Sequence, residues 1–213
     1  MLSALISSEL SYPAMQLALQ PVHQRFVHSG PLVLGAAPVK LPPPTADSDQ
    51  TVSRSFKPAE ELNLFNKIVY PDIAEDMFIT VMNTELDLNS SIFTYSSAGH
   101  NPLVVYRKES DRMELHGTKG VAVGFIENYS YKESSFELKN GDIVVFYTDG
   151  IIECENKRRE LFGTQRLLDV VYKNKNLSSK EIKEKILEAI EDFRQDYEQN
   201  DDITFVILKS VKK

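Results

Sequence analysis

Apolar and polar positions alternate in regular patterns from residue 56 onward, and the spacing changes between that of helices and that of strands. Apolar residues fall on one side of a predicted helix over 57–69, which Pro71 ends. Two later helices are predicted, one over 162–172 and one that opens at Ser178, where Glu181 completes capping-box spacing. Strands are predicted where β-branched and aromatic residues cluster: 77–82, 91–98, 103–106, 113–115, 131–138, 143–148 and 203–208.

Helices packed on a largely antiparallel sheet form an α+β layered architecture, which is the fold class that we predict. The turn residues at 99–102 are typical of a meander that joins the strands at 91–98 and 103–106. Asn140 and Gly141 are typical of a tight hairpin turn between the strands that flank them.

Residues 1–55 differ in composition from the rest of the chain. Seven of the ten prolines fall before residue 45, and a polar run follows them. Because proline lacks a backbone donor, the segment after about residue 20 is predicted to be a loop or linker. Residues 2–19 predict a short helix that Pro13 interrupts. We therefore divide the chain into an atypical N-terminal segment, 1–55, and one domain, 56–213.

The net charge narrows the classes of partner. The chain of 213 residues carries a formal net charge of −7, with an isoelectric point near 5.2. An acidic surface repels nucleic-acid phosphates and anionic lipids, so we expect no nucleic-acid partner and no membrane partner. No stretch approaches the roughly 18 apolar residues of a membrane span, and the start lacks the basic region of a signal peptide. These features favour a cytoplasmic protein.

The single cysteine, Cys154, excludes an internal disulfide and is compatible with a reducing cytosol. It follows Asp149 closely, so a reactive thiol and a plain small residue are the two interpretations. No histidine lies nearby in sequence, which favours the second interpretation.

Two acidic motifs lie directly next to strongly apolar predicted strands. Asp149 and Gly150 follow the strand at 143–148, and Asp201 and Asp202 directly precede the strand at 203–208. The end of one buried strand and the start of another can meet at one rim of a sheet, where carboxylate oxygens suit Mg²⁺ or Mn²⁺. The alternatives are an ordinary Thr-Asp-Gly turn and a solvated acidic pair.

His100 is a further candidate for chemistry. It could act as the general acid for a leaving alkoxide. Its neighbours Gly99, Asn101 and Pro102 are turn formers, however, and they favour a structural role.

Several short motifs occur in a fixed order along the chain. They are Met77-Phe-Ile-Thr80, Ala98-Gly-His-Asn-Pro102, Gly141-Asp142, Tyr147-Thr-Asp-Gly150, Glu153, Leu161-Phe-Gly163 and Asp201-Asp-Ile-Thr204. No single motif is specific, but the ordered set resembles the SpoIIE/RsbU branch of the metal-dependent PPM serine/threonine phosphatases. The resemblance covers roughly residues 57–209.

The resemblance implies an α-β-β-α sandwich with two Mn²⁺ or Mg²⁺ ions at one edge, where a metal-activated water attacks phosphoserine or phosphothreonine. By matching motifs, it implies that Asp149 and Asp201 are catalytic ligands of one metal site, with Asp202 as a further ligand. Gly150 would permit close approach of the backbone at this binding site. The implied substrate is a phosphoprotein that regulates signalling.

The chain departs from the family pattern in one respect. A Gly-Asp-x-Ser-Gly-His-Gly type motif completes the metal centre in the family, and here Asp47 and Asp49 lie instead in a polar linker. We interpret the chain as starting just after that motif, so its sandwich would be incomplete at the N-terminal edge. It would then hold one metal ion or none and have impaired activity.

Two other functions are compatible with these residues. One is a non-catalytic, phosphatase-like module that binds a regulatory partner. The other is an unrelated α+β binding domain whose acidic rim is structural. Missing edge strands would expose a sheet edge or apolar surface, so we also expect self-association.

Overall fold

The backbone of residues 15–19 and the whole of residues 56–74, 77–199 and 201–211 are described by a computed structural model. Within these ranges the elements are β1 (Met15–Leu19), α1 (Pro58–Val69), β2 (Val81–Asp87), β3 (Ile92–Ala98), β4 (Leu103–Arg107), β5 (Arg112–His116), β6 (Glu133–Glu137), β7 (Ile143–Tyr147), α2 (Asp149–Ile152), α3 (Gly163–Lys173), α4 (Ser179–Arg194) and β8 (Phe205–Ser210).

The strands form two antiparallel sheets that face each other. The large sheet has the order β1-β8-β7-β4-β5, and the small sheet has the order β2-β3-β6. Side chains from both sheets meet in one buried layer: Phe93, Tyr95, Leu103, Val105, Leu138, Val144 and Leu208. Helix α1 covers the outer face of the small sheet, and α3 and α4 cover that of the large sheet. The architecture is therefore an α-β-β-α sandwich.

Strand β7 shows why the large sheet is so apolar. Ile143, Val145 and Tyr147 point toward the helical layer, while Val144 and Phe146 point toward the small sheet. Because both of its faces are covered, the strand has a continuous apolar sequence rather than an alternating one. The prediction that this strand is buried on both faces is confirmed.

The predicted helices are confirmed with small changes at their ends. Ser178 precedes α4, and its Oγ accepts a hydrogen bond from the Glu181 backbone N–H at 3.3 Å. The Glu181 carboxylate accepts one in return from the Ser178 backbone N–H at 2.8 Å. The capping box expected from the sequence is thus present and satisfies N–H groups that the helix leaves free. No helix in the described part of the chain is long and apolar enough to cross a membrane.

The helix predicted over 2–19 is wrong where the structure describes it. Met15–Leu19 is a strand, β1, which pairs antiparallel with β8 from Met15↔Ser210 to Leu19↔Val206. Without β1, the N–H and C=O groups on that side of β8 would lack strand partners, and this long-range pairing overrides the local helical pattern. The remainder of the predicted helix and the linker after residue 20 lie outside the described residues.

Three strand predictions also need correction. The strand expected at 77–82 begins later, as β2, and Ile79 instead forms an isolated bridge with Val123. The expected meander fails because β3 and β4 belong to different sheets. The expected hairpin at Asn140 and Gly141 fails for the same reason, because β6 and β7 lie in different sheets. The connections from β3 to β4 and from β6 to β7 each pass from one sheet to the other, and turn residues alone do not show this.

A buried carboxylate, that of Asp142, stabilises the connection from β6 to β7. Asp142 is 1% exposed, and its carboxylate accepts hydrogen bonds from the backbone N–H of Lys108 at 2.9 Å and of Lys139 at 3.0 Å. The Arg107 guanidinium lies 3.0 Å from the same carboxylate. Asp142 therefore joins the end of β4 to the start of β7 where the chain enters the large sheet.

Candidate functional site

The C-terminal end of β7 delivers the first acidic residue to the rim of the large sheet. Thr148 is extended, and Asp149 is the first residue of α2, with its backbone C=O accepting from the Glu153 N–H at 2.8 Å. Although the strand before it is buried, Asp149 itself is exposed. The sequence therefore ends a core strand with a carboxylate in solvent, and the short helix α2 was not predicted.

The second acidic signal lies at the same rim. Strands β7 and β8 are antiparallel, with Tyr147 opposite Phe205, so the end of β7 meets the start of β8. Asp201 and Asp202 precede β8 and are both exposed. The structure thus places the backbones of Asp149 and of the acidic pair at one edge of one sheet.

Thr148 joins the end of β7 to the segment that precedes β8 by hydrogen bonds. Its Oγ1 donates to the Asp202 carbonyl at 3.1 Å and accepts from the Thr204 N–H at 3.2 Å. Its own N–H donates to the Thr204 carbonyl at 3.0 Å. Thr148 is 1% exposed, and these bonds satisfy its buried polar groups. No role was predicted for Thr148 from the sequence. The available signal was a threonine near each acidic motif, Thr148 before Asp149 and Thr204 after Asp202.

Gly150 allows the two segments to come this close. A β-carbon at this position would lie 2.3 Å from the Asp202 carbonyl oxygen and 2.9 Å from its carbonyl carbon. Both atoms belong to backbone, so a side chain would force the segments apart. The geometry requires glycine here because of the close backbone approach, not because of a turn with positive φ.

The carboxylates at this rim are not neutralised by cations. No ion pair among the described residues uses Asp149, Asp201 or Asp202. One oxygen of Asp201 accepts the Asp202 N–H at 2.7 Å, and the Asp201 carbonyl accepts from the Gln199 amide at 2.7 Å. Such exposed carboxylate oxygens have the donor chemistry that Mg²⁺ and Mn²⁺ require. Within the described ranges, however, no three His, Cys, Asp or Glu side chains are grouped as a metal-binding set.

A pocket of about 240 Å³ opens beside Gly150 and Asp201. Its other lining residues are Glu153, Cys154, Glu155, Leu161 and Gln199. Glu155 is already paired with the Arg159 guanidinium at 2.7 Å. The pocket therefore gives the rim a neighbouring recess whose charged lining residues, Glu153, Glu155 and Asp201, are all acidic.

Cys154 lines this pocket but lies mainly in the core. Its side chain is free, and the residue is 6% exposed. Burial raises the pKa of the Cys154 thiol, and the nearby positive charge of Arg194 only partly opposes that rise. Because the thiolate is the reactive form, these surroundings favour the plain small residue over the reactive thiol.

Cys154 should therefore react slowly with a thiol reagent in the folded protein. We expect modification by Ellman's reagent at pH 8 to be at least roughly tenfold slower in buffer than in urea, where burial and the raised pKa are lost. Equal rates in the two conditions would contradict this expectation and point to an accessible, activated thiol.

His100 also lies near the rim, in the connection from β3 to β4. Its Nδ1 is 3.3 Å from the Thr80 Oγ1. Burial lowers the pKa of His100, while the Asp149 carboxylate and the Tyr147 carbonyl act to raise it. The sequence singled out His100 but gave no indication that Thr80 would contact it.

Comparisons with known proteins place this geometry in context. A family model described as Stage II sporulation protein E (SpoIIE) matches residues 48–211. Phosphoserine phosphatase RsbU of Bacillus subtilis (strain 168) is 28% identical over 163 residues. That match covers 76% of this chain and 48% of RsbU, so the chain spans about half the length of this relative.

Solved structures share the fold at low sequence identity. The SiaA-PP2C domain of Pseudomonas aeruginosa has a TM-score of 0.63 and 18% identity, over 72% of this chain and 61% of that one. The PP2C phosphatase domain of the cell fate determinant SpoIIE from Bacillus subtilis, with a fragment of its regulatory domain, has a TM-score of 0.61 and 19% identity, over 73% and 44% of the two chains. The predicted α+β sandwich is thereby confirmed.

Proposed function

Because the chain belongs to the SpoIIE family, as its ordered motifs predicted, we propose that it is a metal-dependent phosphatase domain. Its substrate would be phosphoserine or phosphothreonine in a regulatory protein. One observation carries the proposal. The buried Thr148 holds two exposed acidic segments together at one rim of the sheet, Asp149 after β7 and Asp201 before β8.

The donor chemistry of the rim fits Mn²⁺ or Mg²⁺, so residues can be given roles. Asp149 and Asp201 would hold the ion, and Asp202 would be a further ligand. Gly150 keeps the two acidic segments in contact, and Thr148 holds their backbones by hydrogen bonds. When bound, the ion supplies polarisation of phosphoryl oxygens and a lower pKa for water.

The reaction is hydrolysis of a phosphate ester. The oxygen of water bonds to phosphorus, the bond between phosphorus and the serine Oγ breaks, and a proton ends on that Oγ. A phosphoserine side chain must reach an exposed site, and Asp149 and Asp201 both face solvent. The rim is therefore open to a residue presented on the surface of another protein.

A second candidate function is a non-catalytic, phosphatase-like module that binds a regulatory partner. It is favoured by one observation: the described residues contain no group of three side chains of the metal-binding types. The two functions differ in whether the rim holds a divalent ion, and that property can be measured directly.

The proposal extends to partners and location. Phe78 and Phe125 are 57% and 68% exposed and line one shallow pocket, which supports self-association or contact with a protein substrate. The single free thiol supports a cytoplasmic location, where cysteines stay reduced.

Calorimetric titration with Mn²⁺ tests the metal site, and phosphate release from a phosphoserine peptide tests activity. We expect wild type to bind Mn²⁺, and Asp149→Asn and Asp201→Asn to lose that binding because each removes a charged oxygen ligand. Asp192→Asn is the matched control, since Asp192 is an exposed aspartate of α4 and belongs to neither acidic motif.

The outcomes separate the two functions. Mn²⁺-dependent phosphate release that Asp149→Asn abolishes would support the phosphatase. Mn²⁺ binding without phosphate release would favour the binding module with a residual metal site. If wild type binds no divalent ion at millimolar concentration, the metal-dependent proposal fails and the acidic rim is structural.

A further inference from the structure

We propose that the hairpin over residues 153–162 is a docking surface for the phosphoprotein, in which the exposed Arg158 binds an acidic side chain that flanks the phosphoserine. The inference rests on the proposed function, because it names the class of substrate that the acidic rim would receive. Arg158 binds the substrate and takes no part in the reaction.

The base of this hairpin adjoins the acidic rim. Its two arms are joined by the antiparallel bridge between Glu155 and Leu161. Both residues line the pocket of about 240 Å³ that Gly150 and Asp201 also line. A substrate whose phosphoserine reaches the rim therefore passes close to the hairpin.

The tip of the hairpin contacts the segment that leads to Asp201. The Lys157 Nζ lies 3.3 Å from the Asp196 carboxylate. The Arg159 guanidinium lies 5.4 Å from the centre of the Tyr197 ring. Asp196 and Tyr197 follow the end of α4, so contacts at the tip as well as at the base hold the hairpin beside the rim.

The Asn156 side chain fixes the backbone that carries Arg158. Its Oδ1 accepts hydrogen bonds from the N–H groups of Arg158 at 2.9 Å and of Glu160 at 3.1 Å. Its Nδ2 donates to the Glu160 carboxylate at 2.8 Å. The hairpin is therefore ordered before any substrate arrives, and docking does not have to pay for ordering this loop.

Arg158 is the cation of the hairpin that remains free in the part of the chain that the structure describes. Lys157-Arg158-Arg159 is the only run of three cations in the sequence, although the chain has a net charge of −7. Lys157 is paired with Asp196, and Arg159 is paired with the Glu155 carboxylate at 2.7 Å. Among the described residues, no ion pair or ring contact uses the Arg158 side chain, which is exposed.

This free guanidinium determines the kind of partner that we expect. Its planar set of N–H donors matches the two oxygens of a carboxylate. The carboxylates of Glu155 and Glu160 already have partners within the hairpin, so they compete little for Arg158. An aspartate or glutamate beside the phosphoserine would supply the missing carboxylate. A basic flank would instead bind the acidic pocket residues, such as Glu153.

Fluorescence anisotropy with labelled peptides tests the inference on the full chain. The peptides carry a phosphonate that cannot be hydrolysed in place of phosphoserine, followed by two residues that are Asp, Asn or Lys. Binding is measured with Mn²⁺ and, separately, with EDTA. In both conditions, we expect Arg158→Gln to weaken binding of the Asp peptide about two- to fivefold, the usual effect of an exposed ion pair, and to leave the Asn peptide unchanged.

Two further variants sharpen this comparison. Arg158→Glu should weaken the Asp peptide more than Arg158→Gln does, because repulsion replaces attraction. Both variants keep the backbone N–H that bonds to Asn156, so we expect the hairpin to stay folded. Arg112→Gln is the matched control, because Arg112 is an exposed arginine opposite Arg107, at the end of β4 that lies away from the rim.

Three results would overturn the inference. One is unchanged binding of the Asp peptide in both Arg158 variants, or no binding of any peptide by wild type. Another is equal weakening of the Asp and Asn peptides, which would place the guanidinium on the phosphate group. The third is tightest binding of the Lys peptide by wild type, which would assign the flank to the acidic pocket.

The failure of this inference differs from the failure of the proposed function. The expected loss in EDTA would support the docking surface even if wild type binds no Mn²⁺ and the metal-dependent function is refuted. Conversely, Mn²⁺-dependent phosphate release together with unchanged peptide binding in both Arg158 variants would support the phosphatase and overturn the docking surface.

Discussion

Replacing Gly150 by alanine should open the acidic rim and lower Mn²⁺ affinity at least about tenfold, as loss of support for metal ligands generally does. The new β-carbon would lie 2.3 Å from the Asp202 carbonyl oxygen, a distance that no relaxed structure tolerates. Because the nearest atoms are backbone, the segment before β8 must move away from α2. Calorimetry with Mn²⁺ measures the affinity, and urea unfolding should show a loss of about 1–3 kcal/mol, the usual cost of overpacking.

Gly163→Ala provides the control for this change. Its β-carbon would meet nothing within 4 Å, but φ at Gly163 is +75°, so the substitution carries only a backbone cost. That cost is about 1–2 kcal/mol for a left-handed residue. The control should therefore lose stability and keep its Mn²⁺ affinity. If Gly150→Ala binds Mn²⁺ as tightly as wild type, the close contact of Gly150 with Asp202 has no part in the proposed metal site.

Among the substitutions proposed here, Asp142→Ala should give the largest loss of stability, about 3–5 kcal/mol in the free energy of unfolding. The substitution leaves the backbone N–H groups of Lys108 and Lys139 without their acceptor, in a partly buried place. It also leaves the Arg107 guanidinium, whose side chain is 16% exposed, without its carboxylate. A partly buried cation without its carboxylate and two donors without their acceptor add their desolvation costs.

Urea unfolding followed by circular dichroism measures this loss. Asp169→Ala is the matched control, because Asp169 is an exposed residue of α3 whose carboxylate accepts from the Gln165 amide. Surface changes of this kind fall within about 0.5 kcal/mol. A loss below about 1 kcal/mol for Asp142→Ala would show that the crossing between the sheets does not depend on this carboxylate.

Local periodicity was enough to predict most elements and to predict that the two acidic motifs lie at one rim of the large sheet. Strand β7 could be recognised because burial on both faces requires a continuous apolar run, and such a run that ends in Asp149 is visible in the sequence. Helix α4 could be recognised because its capping box uses residues three apart. In both cases the physical cause acts within a few residues along the chain.

Features that depend on distant segments could not be predicted in this way. Met15–Leu19 is a strand because β8 supplies its hydrogen-bond partners, and that pairing leaves no local signal. The crossing at Asn140 and Gly141 has the turn chemistry of a hairpin, yet β6 and β7 belong to different sheets. The contact between Thr80 and His100 likewise joins residues 20 positions apart.

The hydrogen bonds between Thr148 and Thr204 affect the order in which parts of the domain fold. These two residues lie 56 positions apart, and α2, α3 and α4 lie between them. During synthesis, Asp149 leaves the ribosome well before Asp201, so the rim cannot assemble until the whole helical insertion has been made. Pairings across such long separations form slowly, because the intervening chain must first be brought into place. The candidate site is therefore expected to be among the last parts of the domain to form during biosynthesis.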